Sequence, residues 1–92
     1  MDKTKKQFEE TIKVCRDLFE AKLNDYGSSW RILRLPSLTD QIFIKANRIR
    51  SIQEKGVNQI DEGIVPEFIG IINYSVIALL QIELENSNEI DL

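Results

Sequence analysis

The chain has 92 residues, 42% of them hydrophobic and 29% charged, with a net charge of −3. That balance describes a folded domain near the lower limit of what can bury an adequate core. It excludes a disordered chain, and it excludes an overall basic field that would draw in long nucleic acid. One cysteine and no histidine exclude an internal disulfide, a cysteine-based zinc site and any catalytic triad built on histidine.

The N-terminal stretch MDKTKKQFEE lacks the apolar core of a secretory leader, so the expected location is the cytoplasm. A first helix is predicted over 3–24, where Phe8, Ile12, Cys15, Phe19 and Leu23 share one face. Asp25-Tyr26-Gly27 ends it, Gly27 being able to take the positive φ of a helix stop. An ordered connection then runs to Pro36. A second helix is predicted over 38–56, with Ser37 of the SLTD stretch as its hydroxyl cap. Ile42, Ala46, Ile49 and Ile52 form its apolar face. A third helix is predicted over 66–85, with Pro66 suited to its first turn. No run alternates as a strand would. The expectation is an all-α fold, a small bundle of three principal helices in a single domain over 1–86, with an acidic tail over 87–92.

The apolar stretch from Phe68 to Ile82 is shorter than the roughly 20 residues of a membrane span, and Asn73 and Gln81 interrupt it. It reads as a buried core helix, and no membrane partner is expected. Its circumference is apolar almost throughout; Glu67, Tyr74, Ala78, Gln81 and Glu85 mark the less greasy side. Two amphipathic helices cannot cover that much apolar surface. The expected remedy is a second copy of the chain, as a homodimer or a tandem copy.

Placing residues at about 100° per step puts one polar side chain on the apolar stripe of each helix: Lys22, Lys45 and Asn73. A buried ammonium or amide without partners is costly, so the coincidence suggests one shared polar pocket beneath the connection. The bland alternative has the lysine heads reaching water and Asn73 bridging two elements. The connection adds Tyr26, Trp30, Arg31 and Arg34, and Arg48 lies one turn beyond Lys45. Guanidinium groups grip phosphate, and an aromatic ring stacks on a base. Asp25, Asp40, Glu62 and Glu67 are the acids available as partners, or as holders of a Mg²⁺ ion. Asp17 and Glu20, although spaced as a pair, fall on the solvent side of the first helix. No glycine-rich phosphate loop is present.

The blocks KLNDYGSSWRILR, DQIFIKANRIRSI and EGIVPEFIGIINYSVIALLQIE resemble the nucleotide modification associated domain 1 family, an all-α domain of unknown function found in bacteria and phages. The resemblance covers roughly 8–83. It implies a link to nucleotide metabolism, with Lys22, Asp25, Tyr26, Gly27, Trp30, Lys45, Arg48, Glu62, Asn73 and Tyr74 as the positions carried over. Phage-type members carry acids where this chain has Ile44 and Gly70; if those acids hold a metal, that set is not reproduced here. Relatives with two copies of the domain in tandem are also implied.

Two readings stand at this point. One is a domain that binds or processes a nucleotide or similar phosphate-bearing small molecule, through Lys22, Asp25, Tyr26, Trp30, Lys45, Arg48, Glu62 and Asn73. Its catalytic form would be a Mg²⁺-dependent (pyro)phosphohydrolase. The other is a non-catalytic module in which the same residues fix a helical dimer.

Overall fold

Among the described residues are three α-helices and one short 3₁₀ turn: α1 (Asp2–Tyr26), the 3₁₀ turn (Ser29–Ile32), α2 (Leu35–Lys55) and α3 (Val65–Ser87). The computed structural model describes residues 2–27, 29–56 and 63–87. Among the described residues there is no strand, and the all-α fold class expected from the periodicities is what the chain adopts.

Helix α1 runs two residues past its expected end, to Tyr26, and stops at the expected Gly27. Gly27 takes φ 63°, and its N–H reaches the carbonyl of Leu23 at 2.7 Å, closing the last turn in a conformation that any side chain would strain. The connection is ordered by its own 3₁₀ turn, with the Leu33 N–H donating to the Trp30 carbonyl at 3.1 Å.

Helix α2 starts three residues before the predicted boundary. Its cap position is Arg34, which offers no side-chain hydrogen bond, and Pro36 lies inside the first turn. Ser37 is therefore helical and not the cap. The physical reason is that proline lacks only an N–H that a first turn leaves unused, while its fixed φ already suits the helix. Ala46 also corrects the expectation: it is exposed. The inward stripe is Leu35, Leu38, Ile42, Lys45, Ile49 and Ile52, spaced alternately by three and four.

Helices α2 and α3 form an antiparallel hairpin. Ile52 approaches Gly63, Arg48 approaches Glu67, and Lys45 approaches Gly70 and Tyr74, so numbers fall along one helix as they rise along the other. Helix α1 lies against α3 more loosely, through the Cys15 region. Five hydrophobic side chains are buried among the described residues: Cys15, Leu38, Ile49, Ile64 and Ile77.

Helix α3 departs from the expectation of a buried core helix. Its window Val65–Asn86 has a mean hydropathy of 1.6 and is, by length and composition, long and apolar enough to cross a membrane. The side turned inward is the less apolar one, carrying Glu67, Gly70, Tyr74, Ile77 and Gln81. Val65, Phe68, Val76, Leu79 and Ile82 are exposed.

Candidate functional site

A cavity of about 760 Å³ opens between the C-terminal half of α1, the connection and the N-terminal half of α3, with Lys45 of α2 closing its floor. Its greasy wall comes from Phe19, Leu23, Leu33 and Ile77, with Trp30 and Tyr74 as aromatic faces. Lys22, Lys45, Glu67 and Asn73 supply the polar groups. That size and that mixture fall within the range of small-molecule sites.

Lys45 is the best-defined member. Its side chain is 18% exposed and lies across Gly70, where an added Cβ would meet Cε at 2.6 Å and Cδ at 2.8 Å. Glycine leaves room for that path, and an added Cβ would push the flexible end of the lysine aside. The ammonium sits 5.7 Å from the Tyr74 ring centroid and 3.5 Å from Glu67 Oε2, at the outer edge of a cation–π contact. Glu67 is 14% exposed, and its other oxygen accepts from Arg48 Nη1 at 3.4 Å. Among the described residues no donor hydrogen-bonds Oε2, although the atom is buried. Its closeness to Lys45 is an ion pair held by charge, without the short, aligned geometry of a hydrogen bond.

Asn73 has a definite job in the fold. Its Nδ2 donates to the Cys15 carbonyl at 3.1 Å, tying α3 to α1 at the cavity's inner end. Trp30 stands at the mouth with the Arg31 guanidinium 4.7 Å from its ring centroid. Lys22 reaches the cavity from an otherwise exposed position on α1. Elsewhere on α1, Lys13 donates to Asp17 Oδ2 at 2.8 Å. That bond, and the charge behind it, hold its ammonium above the ordinary lysine value, but the pair is exposed and takes no part in the wall.

Of the residues singled out in the sequence, Lys22, Trp30, Lys45 and Asn73 share this cavity wall. Arg48 does not line it, yet meets it through Glu67. Asp25 is exposed and off the wall. Glu62 lies outside the described residues, as does the side chain of Tyr26. Asp40 is exposed on α2, so it does not join Glu67. Among the described residues no three acidic or thiol groups gather as a metal site. Among the described residues Glu67 is the wall's one carboxylate, and it is already engaged by two cations, a donor set that by itself does not fit Mg²⁺.

Gln81 was not singled out as a site residue, and the structure gives it a leading part. Its buried Nε2 donates toward the carbonyls of Trp30, Arg31 and Leu33 at 3.2, 2.9 and 2.7 Å. One amide thereby pins the whole connection over the cavity, two N–H protons serving three acceptors. A glutamine on the inward side of α3 was visible in the sequence, but its partners are backbone atoms that no side-chain pattern encodes.

No curated protein and no solved structure shows a detectable match to the chain. The family model described as nucleotide modification associated domain 1 matches residues 22–82, a span that takes in the end of α1, the connection, α2 and most of α3. The chain belongs to the nucleotide modification associated domain 1 family.

Proposed function

We propose that the cavity binds a nucleotide or a similar phosphate-bearing small molecule, with the phosphate against Lys22 and Lys45 and the planar group against Trp30 or Tyr74. The observation that carries this reading is the meeting of two ammonium groups and two aromatic rings on one open wall. Lys45 can share its charge: its 3.5 Å contact with Glu67 is not a hydrogen bond, so its ammonium keeps donors for a phosphate while the ion pair stays in place. The family's description, nucleotide modification associated, agrees in chemical class. The wall supplies binding groups and one engaged acid, so the reading is of binding, with no hydrolytic step assigned.

Thermal-shift measurements with nucleoside mono-, di- and triphosphates, with and without Mg²⁺, test it. Melting temperature should rise with concentration for at least one nucleotide. The rise should vanish in Lys22→Met, an exposed position whose loss leaves the core untouched. Absence of any shift at about 1 mM ligand would remove the reading.

The second reading, a non-catalytic helical module, is favoured by a different observation. Asn73 and Gln81 both spend their amides on internal backbone carbonyls, as residues that fix a fold do.

A further inference from the structure

The outer side of α3 is an apolar feature that the cavity leaves unexplained. Val65, Phe68, Val76 and Leu79 recur at helical spacing with half-buried Ile72 between them, forming one stripe. Phe68 is 50% exposed and Leu79 66%. The stripe faces away from Glu67, Gly70, Tyr74 and Ile77, which are among the α3 residues of the cavity wall, so a cover on it leaves the cavity open.

The geometry points to a second copy of this chain as the cover, the two α3 helices packed antiparallel about a two-fold axis near Ile72 and Val76. Area is the first argument. The chain exposes 7468 Å², whereas a compact monomer of this length exposes about 5,500 Å². The excess of about 2,000 Å² is spread over an elongated molecule of 46 × 33 × 25 Å, and leaves room for the roughly 800 Å² that each partner of a standard interface buries. The radius of gyration agrees, at 15.3 Å against about 12 Å for a compact domain. Small single domains do not normally leave a row of large apolar side chains wet.

Charge selects the occupant and the orientation. Helix α3 contains no lysine or arginine, while Glu67, Glu83 and Glu85 lie along it. An anionic lipid surface would meet no basic residue there, and a membrane crossing would bury Glu67 and Gln81 with their partners stripped. Two copies of an uncharged stripe meet without repulsion. A parallel pair would bring Glu83 against Glu83. An antiparallel pair sets Glu83 of each copy near the positive N-terminal end of its partner's α3. Such an isologous contact closes after two copies.

Sedimentation of the full chain, with single-cysteine cross-linking, tests the proposal. A dimer should persist at about 10 µM, and Phe68→Glu with Leu79→Glu should raise its dissociation constant at least about 100-fold while circular dichroism stays helical. In a Cys15→Ser background, Val76→Cys should link two copies through a short bismaleimide, and Phe8→Cys should not. The cross-link is read on otherwise intact α3, so it decides the matter even if the glutamate variant does not fold. A wild-type chain that remains monomeric at about 100 µM overturns the proposal. So does a dimer that Val76→Cys fails to link, and so does co-flotation with phosphatidylglycerol vesicles in place of dimerisation. Nucleotide-induced thermal shifts are read separately: their absence would remove the cavity reading and leave this interface standing.

Discussion

The two sides of α3 invert the usual arrangement of a surface helix. The side turned toward α2 and the cavity carries Glu67, Gly70, Tyr74 and Gln81, while the side turned to solvent carries Val65, Phe68, Val76 and Leu79. A helix that packs its polar groups inward must satisfy them there, and a helix that leaves its apolar groups outward must find them a cover. The inner side is satisfied within the chain by Lys45, Arg48 and the carbonyls of the connection. The outer side finds no cover among the described residues. The difference teaches that the inner side's charges and amides meet partners within one copy, a hydrogen bond to Glu67 Oε2 excepted, while the outer side's apolar groups meet none among the described residues.

The inner side is broken most severely at Lys45. Lys45→Met keeps the stem across Gly70 but leaves Glu67 buried with only the distant Arg48 contact. Removing one partner of a buried pair costs more than removing both, so we expect a loss of about 3 kcal/mol in urea unfolding. Lys45→Met combined with Glu67→Gln should recover most of it. A neutral single variant would mean that the ion pair does not hold the inner side together.

Next in size is Gln81→Leu. It removes the amide that serves three carbonyls at 3.2 Å or less. Part of the connection is exposed and can turn to water, so the expected cost is about 2 kcal/mol, less than three orphaned acceptors would suggest. The discriminating readout is Trp30, the chain's single tryptophan. Its emission should shift to the red as the connection lifts, while helicity is retained. Unchanged emission would show that the connection is held by something other than Gln81.

Most of the fold was legible because three apolar repeats of helical period are hard to mistake. What was not legible was phase and exact start. Nearly every position of α3 is apolar, so the pattern could not say which side turns inward; that is decided by the charge on Lys45 and by the gap at Gly70. The start of α2 was misplaced because SLTD resembles a cap, whereas Pro36 fits a first turn equally well. Lys22, Lys45 and Asn73 stood out because a polar residue on an apolar stripe contradicts its neighbours. Asp25 is a position the resemblance carries over and Asp40 an acid available as a partner, yet both are exposed, and nothing in their spacing turns them inward.

Gly70→Ala probes the same gap more gently. Alanine should gain about 1 kcal/mol of helix propensity, but its Cβ displaces the Lys45 stem and with it the Glu67 contact. The net expectation is a loss of about 1 kcal/mol. Once Lys45→Ala has emptied the groove, the same Gly70→Ala change should become stabilising by about 1 kcal/mol. A change of sign between the two backgrounds identifies the lysine path as the reason for the glycine. The same sign in both would assign Gly70 to some other constraint.

The smallest expected effect on stability belongs to Asn73→Leu, and it separates the two readings of the inner side. The acceptor of the Asn73 amide is the Cys15 carbonyl, which lies inside α1 and also has an intrahelical donor four residues on. Losing the amide therefore orphans no backbone group. Leucine at a half-buried position regains apolar burial, so the two terms nearly cancel and the net change should stay under about 1 kcal/mol. Affinity is where the readings diverge. If Asn73 orients a bound nucleotide, Asn73→Leu should weaken binding by at least about tenfold, or about 1.4 kcal/mol, with stability unmoved. If its only task is to tie α3 to α1, binding should be unchanged, and the amide would rank with Gln81 as part of the frame. Isothermal titration of the wild type and of Asn73→Leu with the nucleotide giving the largest thermal shift distinguishes these outcomes, since a frame residue cannot lower affinity while leaving the unfolding midpoint in place.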